Sequence, residues 1–106
     1  MDNDFKNKVD GLTVSFGVIG LCYVGLPLVL ESAAKGFKTI GFDIDQSKVD
    51  MLLDGKSYLK HIPEKSIKNL NETGKFSATS DFSELNTVDV IIICVPTPLT
   101  KHREPD

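Results

Sequence analysis

Gly20 and Gly25, in the stretch GLCYVGLP, are the first residues whose spacing suggests chemistry. They occupy the first and third glycine positions of G-x-G-x-x-G, the loop that cradles a dinucleotide pyrophosphate at a helix N-terminus. The first glycine permits a tight turn, and the third lets the helix pack close to the preceding strand. Cys22 stands at the middle position, where glycine normally lets the backbone approach the pyrophosphate. Its Cβ and sulfur add modest bulk, and the expected loss of affinity is about 1 kcal/mol, or several-fold in dissociation constant. Two other readings of Cys22 stay open. It could fill a small apolar gap in a turn that binds nothing, or be a thiol activated by a helix N-terminus. A thiol here would face the pyrophosphate rather than a reacting carbon.

Asp43 follows Gly25 by 18 residues. An acidic side chain at the end of the second strand of such a unit can accept both hydroxyls of the adenosine ribose. Asp43 and the nearby Asp45 would repel a 2′-phosphate, so the expected cofactor is NAD rather than NADP. His61 precedes Pro63 in a connector and reads as structural. Cys94 lies in an apolar strand and reads as a small hydrophobe rather than a nucleophile. The two cysteines make neither a disulfide framework nor a metal-ligand spacing, and suit reduced thiols in a cytoplasmic protein.

These residues need elements to position them. The run TVSFGVI, residues 13–19, reads as a buried strand. Pro27 suits the first turn of a helix, whose apolar face is Leu26, Leu30, Ala33 and Ala34, with Gly36 as its stop. FKTIGF, residues 37–42, is a second strand running into Asp43. Asp45 can cap a helix with Val49, Leu52 and Leu53 inward and Gly55 at its end. Pro63 and Glu64 open another helix carrying Ile67 and Leu70, stopped by Gly74. KFSATS is a short third strand, and Asp81 with Glu84 can cap one short turn. The nearly continuous apolar run Val88 to Val95 fits a strand covered on both faces of a parallel sheet. Strands alternating with helices imply the α/β class, as the first part of a doubly wound parallel sheet in order 3-2-1-4, cut just after strand four.

Composition bounds the rest. The 106 residues suffice for one domain, with 41% hydrophobic and 25% charged residues. The net charge of −3 offers no basic footprint, so neither nucleic acid nor an anionic membrane surface is an expected partner. No apolar run approaches the length of a membrane helix. Residues 1–12, MDNDFKNKVDGL, read as a polar lead-in without the apolar core of a signal peptide, and residues 13–106 as a partial dinucleotide-binding domain.

Three blocks carry a resemblance: VIGLCYVGLPL, GFDIDQSKV and IIICVPTPLTKHREPD. From about Val14 to the last residue the chain resembles the N-terminal NAD-binding domain of the UDP-glucose/GDP-mannose dehydrogenase family. The stretches SYLKHIPEKSI and TPLTKHREPD are most similar to its UDP-N-acetylglucosamine 6-dehydrogenase branch. Cys22 departs from the family pattern, in which most members carry glycine. The resemblance implies NAD as cofactor and a Rossmann-type fold. Gly20, Cys22 and Gly25 would shape the turn, and Tyr23 and Val24 would offer its backbone to the pyrophosphate. Asp43 would hold the adenosine ribose. Lys48 would reach that ribose or a phosphate, or else is a solvated surface lysine. Val95 and Thr97 would line the site after strand four, although Pro96 and Pro98 could equally do no more than end the strand. The family oxidises the C6 alcohol of a nucleotide sugar through a cysteine thiohemiacetal, and no match to that cysteine or to the sugar domain is found here. The expectation is therefore cofactor recognition without catalysis by this chain alone, and association into a homo-oligomer through strand four.

Two other classes share parts of this pattern. A dinucleotide-sensing regulatory domain uses the same half-fold, but has no need of VPTPLTKHREPD. A methyltransferase usually places an acidic residue before the glycine turn, where this chain has Val18 and Ile19.

Overall fold

The computed structural model describes residues 13–94. Four strands, β1 (Ser15–Ile19), β2 (Lys38–Phe42), β3 (Phe76–Thr79) and β4 (Val90–Ile93), form one sheet in the order β3-β2-β1-β4. All three pairings are parallel, with Ile19 level with Phe42 on one side and with Ile93 on the other. The expected strand order is therefore found. Parallel neighbours end together, so the turns after β1 and β2 emerge at the same edge of the sheet.

Helix α1 (Gly25–Ala34) follows β1. Pro27 lies in its first turn, where its missing N–H costs no intrahelical hydrogen bond. It ends in a Schellman closure: Phe37 N–H donates to Ser32 at 3.1 Å and Gly36 N–H to Ala33 at 3.0 Å. Its buried residues are Gly25, Leu26, Val29 and Ala33. Val29 thus replaces the anticipated Ala34, which is exposed, and Leu30 is only half-buried. The inward stripe is centred one position away from the one that spacing alone suggested.

Helix α2 (Gln46–Leu53) is capped by Asp45, whose side chain accepts the Ser47 N–H at 3.0 Å. Val49 and Leu52 are buried, but Leu53, expected inward, is 52% exposed. Helix α3 (Glu64–Glu72) buries Ile67 and Leu70 as expected. A short 3-10 helix, Phe82–Thr87, is capped by Asp81 through Ser83 N–H.

The sheet's two faces differ. Val18 of β1, Ala78 of β3 and Ile92 of β4 join Leu26, Val29, Leu52, Leu59, Ile67 and Leu70 in one apolar cluster. Each of its fully buried large side chains contributes roughly 1.5–3 kcal/mol. On the opposite face lie Gly17 and Phe42, against Leu85 and Phe82 of the 3-10 helix. Ile91 and Ile93 share that face and are 49% and 66% exposed. The pattern of Val88 to Val95 fits a strand covered on both faces, and among the described residues the face of Ile91 and Ile93 is left open. Among the described residues only the 3-10 helix covers that face, and it sits over β1 and β2 rather than β4. Val95 itself lies outside the described residues.

Candidate functional site

The site is built where β1 ends. Gly20 takes φ 97°, a left-handed conformation that a side chain would strain, and its N–H donates to Phe42 O at 2.8 Å. The turn then passes Cys22, whose carbonyl accepts the Leu26 N–H at 3.1 Å, and enters α1 at Gly25. A Cβ on Gly25 would lie 1.7 Å from the Gly20 carbonyl oxygen. That contact is sterically impossible, so glycine is required for the helix to start so close to the strand. No side chain caps α1 and no acidic residue stands in its first turn. The Leu26 N–H is held by Cys22 and Pro27 has none, so the N–H groups ahead of them, from Cys22 to Gly25, are the ones that can receive an anion, with the positive end of the helix dipole behind them.

Asp43 follows β2 and is 8% exposed. One carboxylate oxygen accepts the Leu21 N–H at 2.9 Å, and the other accepts the Asp45 N–H, also at 2.9 Å. Asp43 thus ties the glycine turn to the loop after β2. Each oxygen can accept a second hydrogen bond, so the carboxylate can bind a diol without giving up its hold on the two loops. Asp45 is exposed, and its carboxyl is held below the usual aspartate range, chiefly by the Ser47 hydroxyl, with a smaller contribution from Lys48.

A cavity of about 530 Å³ brings Gly20, Cys22, Asp43 and Lys48 together. That volume falls within the range of small-molecule sites. Its wall also holds Ile19, Ile44, Asp45 and Phe82. Ile44 and Phe82 were missed by sequence reasoning. Their apolar surfaces suit a flat aromatic base; Ile44 lies within the block GFDIDQSKV without a role assigned to it there, and Phe82 belongs to no motif. The only signal was Ile44's place directly after Asp43.

The other expected residues lie around this cavity. Gly25 is buried beneath the turn. Tyr23 and Val24 are exposed, at 70% and 64%, just before α1. They do not line the cavity, and Tyr23 stacks its ring on His61 with centroids 5.4 Å apart. Lys48 is half-buried, with its ammonium 5.6 Å from the centre of the Tyr58 ring. Cys94 is half-buried, packs against the core, and donates its N–H to Ile19 O at 2.7 Å. Val95 and Thr97 lie outside the described residues. Among the described residues no helix is long and apolar enough to cross a membrane.

Backbone N–H groups suit phosphate, a carboxylate suits a ribose diol, and apolar walls suit a base. These features fit parts of a dinucleotide.

Comparison with known proteins gives the same reading. The model of the UDP-glucose/GDP-mannose dehydrogenase family, NAD binding domain, matches residues 14–106. Protein CapL of Staphylococcus aureus is 39% identical over 92 residues, covering 87% of this chain and 20% of the relative. The UDP-N-acetyl-D-glucosamine 6-dehydrogenase of Pseudomonas aeruginosa is 37% identical over 89 residues, covering 84% of this chain and 20% of the relative. A crystal structure of a ternary complex of GDP-mannose dehydrogenase from Pseudomonas aeruginosa superposes with a TM-score of 0.76 at 34% identity, covering 86% of this chain and 21% of that one. The chain therefore spans about a fifth of the length of the relatives it matches. With a glycine turn, an acidic strand end and a 3-2-1-4 parallel sheet all in place, the chain belongs to the UDP-glucose/GDP-mannose dehydrogenase family, within its NAD binding domain.

Proposed function

We propose that this chain supplies the NAD site of a nucleotide-sugar 6-dehydrogenase, with a UDP-N-acetylhexosamine as the substrate of the whole enzyme. In this reading Gly20, Cys22, Tyr23, Val24 and Gly25 form the pyrophosphate turn. Asp43 binds the adenosine ribose, and Lys48 lies within reach of the same ribose or a phosphate. Val95 and Thr97 complete the wall beyond strand four. Residues 13–106 act as the dinucleotide-binding unit and residues 1–12 as a polar lead-in. The bound cofactor supplies a hydride acceptor for the sugar C6 alcohol. The residues named here bind and orient it, and none is assigned a catalytic role. The sugar acid so made would serve polysaccharide assembly in the cytoplasm. Association into a homo-oligomer belongs to the same reading.

The observation that carries the reading is the convergence of the glycine turn, through Gly20 and Cys22 just ahead of the uncapped α1, and the Asp43 carboxylate on one cavity. That pairing also sets the choice of cofactor. A 2′-phosphate would meet the Asp43 and Asp45 carboxylates together. Two unit charges 4 Å apart repel by about 1 kcal/mol in water and about 4 kcal/mol near a protein surface. Calorimetric titration is expected to give NAD at least about tenfold tighter binding than NADP. Equal or tighter binding of NADP would overturn the assignment of Asp43 to the ribose.

A further inference from the structure

The connector between α2 and α3 reaches back onto the glycine turn. Leu59 and Ile62 anchor it in the core. From that anchored segment the Tyr58 hydroxyl donates a hydrogen bond to the Leu21 carbonyl. On the other side of Leu21, the N–H is held by Asp43 at 2.9 Å. Both peptide groups flanking Leu21 are therefore pinned, one by a carboxylate and one by a phenol.

The second pin has a geometric consequence. The Leu21 carbonyl and the Cys22 N–H belong to one planar peptide, and all described peptides are trans. In a trans peptide these two groups point in opposite directions. The cavity wall includes Cys22 but neither Leu21 nor Tyr58. Holding the carbonyl toward Tyr58 thus turns the Cys22 N–H to the other side of the peptide. The Tyr58 ring makes a second contact, under the Lys48 ammonium at 5.6 Å. Lys48 is itself a wall of the cavity.

We propose that Tyr58 is a positioning residue for the cofactor: its hydroxyl sets the direction of the Cys22 N–H toward the pyrophosphate, and its ring seats Lys48. The proposal rests on the NAD site described above and deepens it. Cys22 makes the role sharper. A Cβ at the middle position takes away some of the backbone's room to approach a phosphate, so the starting direction of the amide decides how much of the hydrogen bond forms. Burial of the phenol, and after it the nearby Asp43 carboxylate, raise its pKa well above the ordinary tyrosine value, so the hydroxyl remains a donor across the working pH range.

Tyr58→Phe tests this with little change of shape, because the ring stays under Lys48. In the ligand-free variant the Cys22 amide resonance is expected to move and its hydrogen exchange to quicken. The dissociation constant for NAD should rise about five- to tenfold. Adenosine monophosphate, which lacks the pyrophosphate bridge, should change less than about twofold. A variant that binds NAD as the parent does, or that loses both ligands equally with the Cys22 amide unmoved, overturns the proposal. A second arm covers a variant that does not fold. A more acidic fluorinated tyrosine placed at position 58 keeps the donor at low pH and loses it on ionisation. NAD affinity should then fall as pH rises through that ionisation in the fluorinated chain only, and a pH-independent affinity contradicts the role. Failure of the unmodified chain to bind NAD would sink the underlying site, whereas unchanged binding by Tyr58→Phe sinks only the positioning role.

Discussion

Gly25→Ala is expected to weaken NAD binding at least about 100-fold, which corresponds to about 2.8 kcal/mol. The new Cβ would sit 1.7 Å from the Gly20 carbonyl oxygen, about half of an ordinary contact distance. The clash is with backbone rather than with a flexible side-chain end, so α1 must move away from the turn. That movement carries the first N–H groups of the helix out of register with the phosphate position. The new Cβ would also come within 3.4 Å of the Cys94 Cβ just after β4. Overpacking of this kind typically costs about 1–3 kcal/mol, and in a domain of this size each kcal/mol lowers the melting temperature by about 4–8 °C. Calorimetry and thermal melts on the same sample separate the two effects. Cys22→Ala, which only trims a half-buried side chain, should leave affinity within a few-fold. A Gly25→Ala chain that binds NAD as tightly as the parent would show that the helix start is not the phosphate site.

Asp43→Ala is the second large effect. The carboxylate is nearly buried and accepts from Leu21 and Asp45, so its removal orphans two backbone donors. The buried Leu21 N–H left unsatisfied costs about 1–3 kcal/mol, while the Asp45 N–H, in an exposed residue, can turn to water. The glycine turn and the α2 entry loop lose their common anchor, and the ribose loses its acceptors. NAD affinity is expected to fall by about two orders of magnitude, with a melting temperature lowered by several degrees. Asp43→Asn keeps the shape and one acceptor oxygen. It should recover much of the thermal stability but only part of the affinity. If the alanine variant stays folded and binds NAD unchanged, Asp43 serves the scaffold alone.

The β1–α1–β2 unit was legible in the sequence because its signals are local. A β-branched run, a glycine turn, Pro27 and a periodic apolar face lie within thirty residues, and each requires the next. The spacing from Gly25 to Asp43 follows from the same unit. The missing parts depend on contacts far apart in sequence. Leu53 looked inward by periodicity, but Val49 and Leu52 alone meet the core. The apolarity of Val88 to Val95 is plain in the composition, which does not say what packs on each face. Phe82 entered the cavity wall through the fold of the 3-10 helix, which no motif announces. Tyr58 lies 37 residues from the Leu21 carbonyl it holds, within a connector, SYLKHIPEKSI, whose resemblance gives that tyrosine no role. Asp43 was read as a ribose ligand, yet its two structural hydrogen bonds could be seen only once the turns after β1 and β2 were brought to the same sheet edge.

The most direct test is to follow the backbone amide resonances of the chain during titration with NAD. Saturable shifts are expected in the turn from Gly20 to Gly25 and in the loop from Asp43 to Lys48, both at the edge where β1 and β2 end. At the opposite edge Lys38 and Lys75 flank a smaller hollow beside Phe76. Shifts confined to those lysines, or no saturable shift at the glycine turn, would contradict the placement of the NAD site.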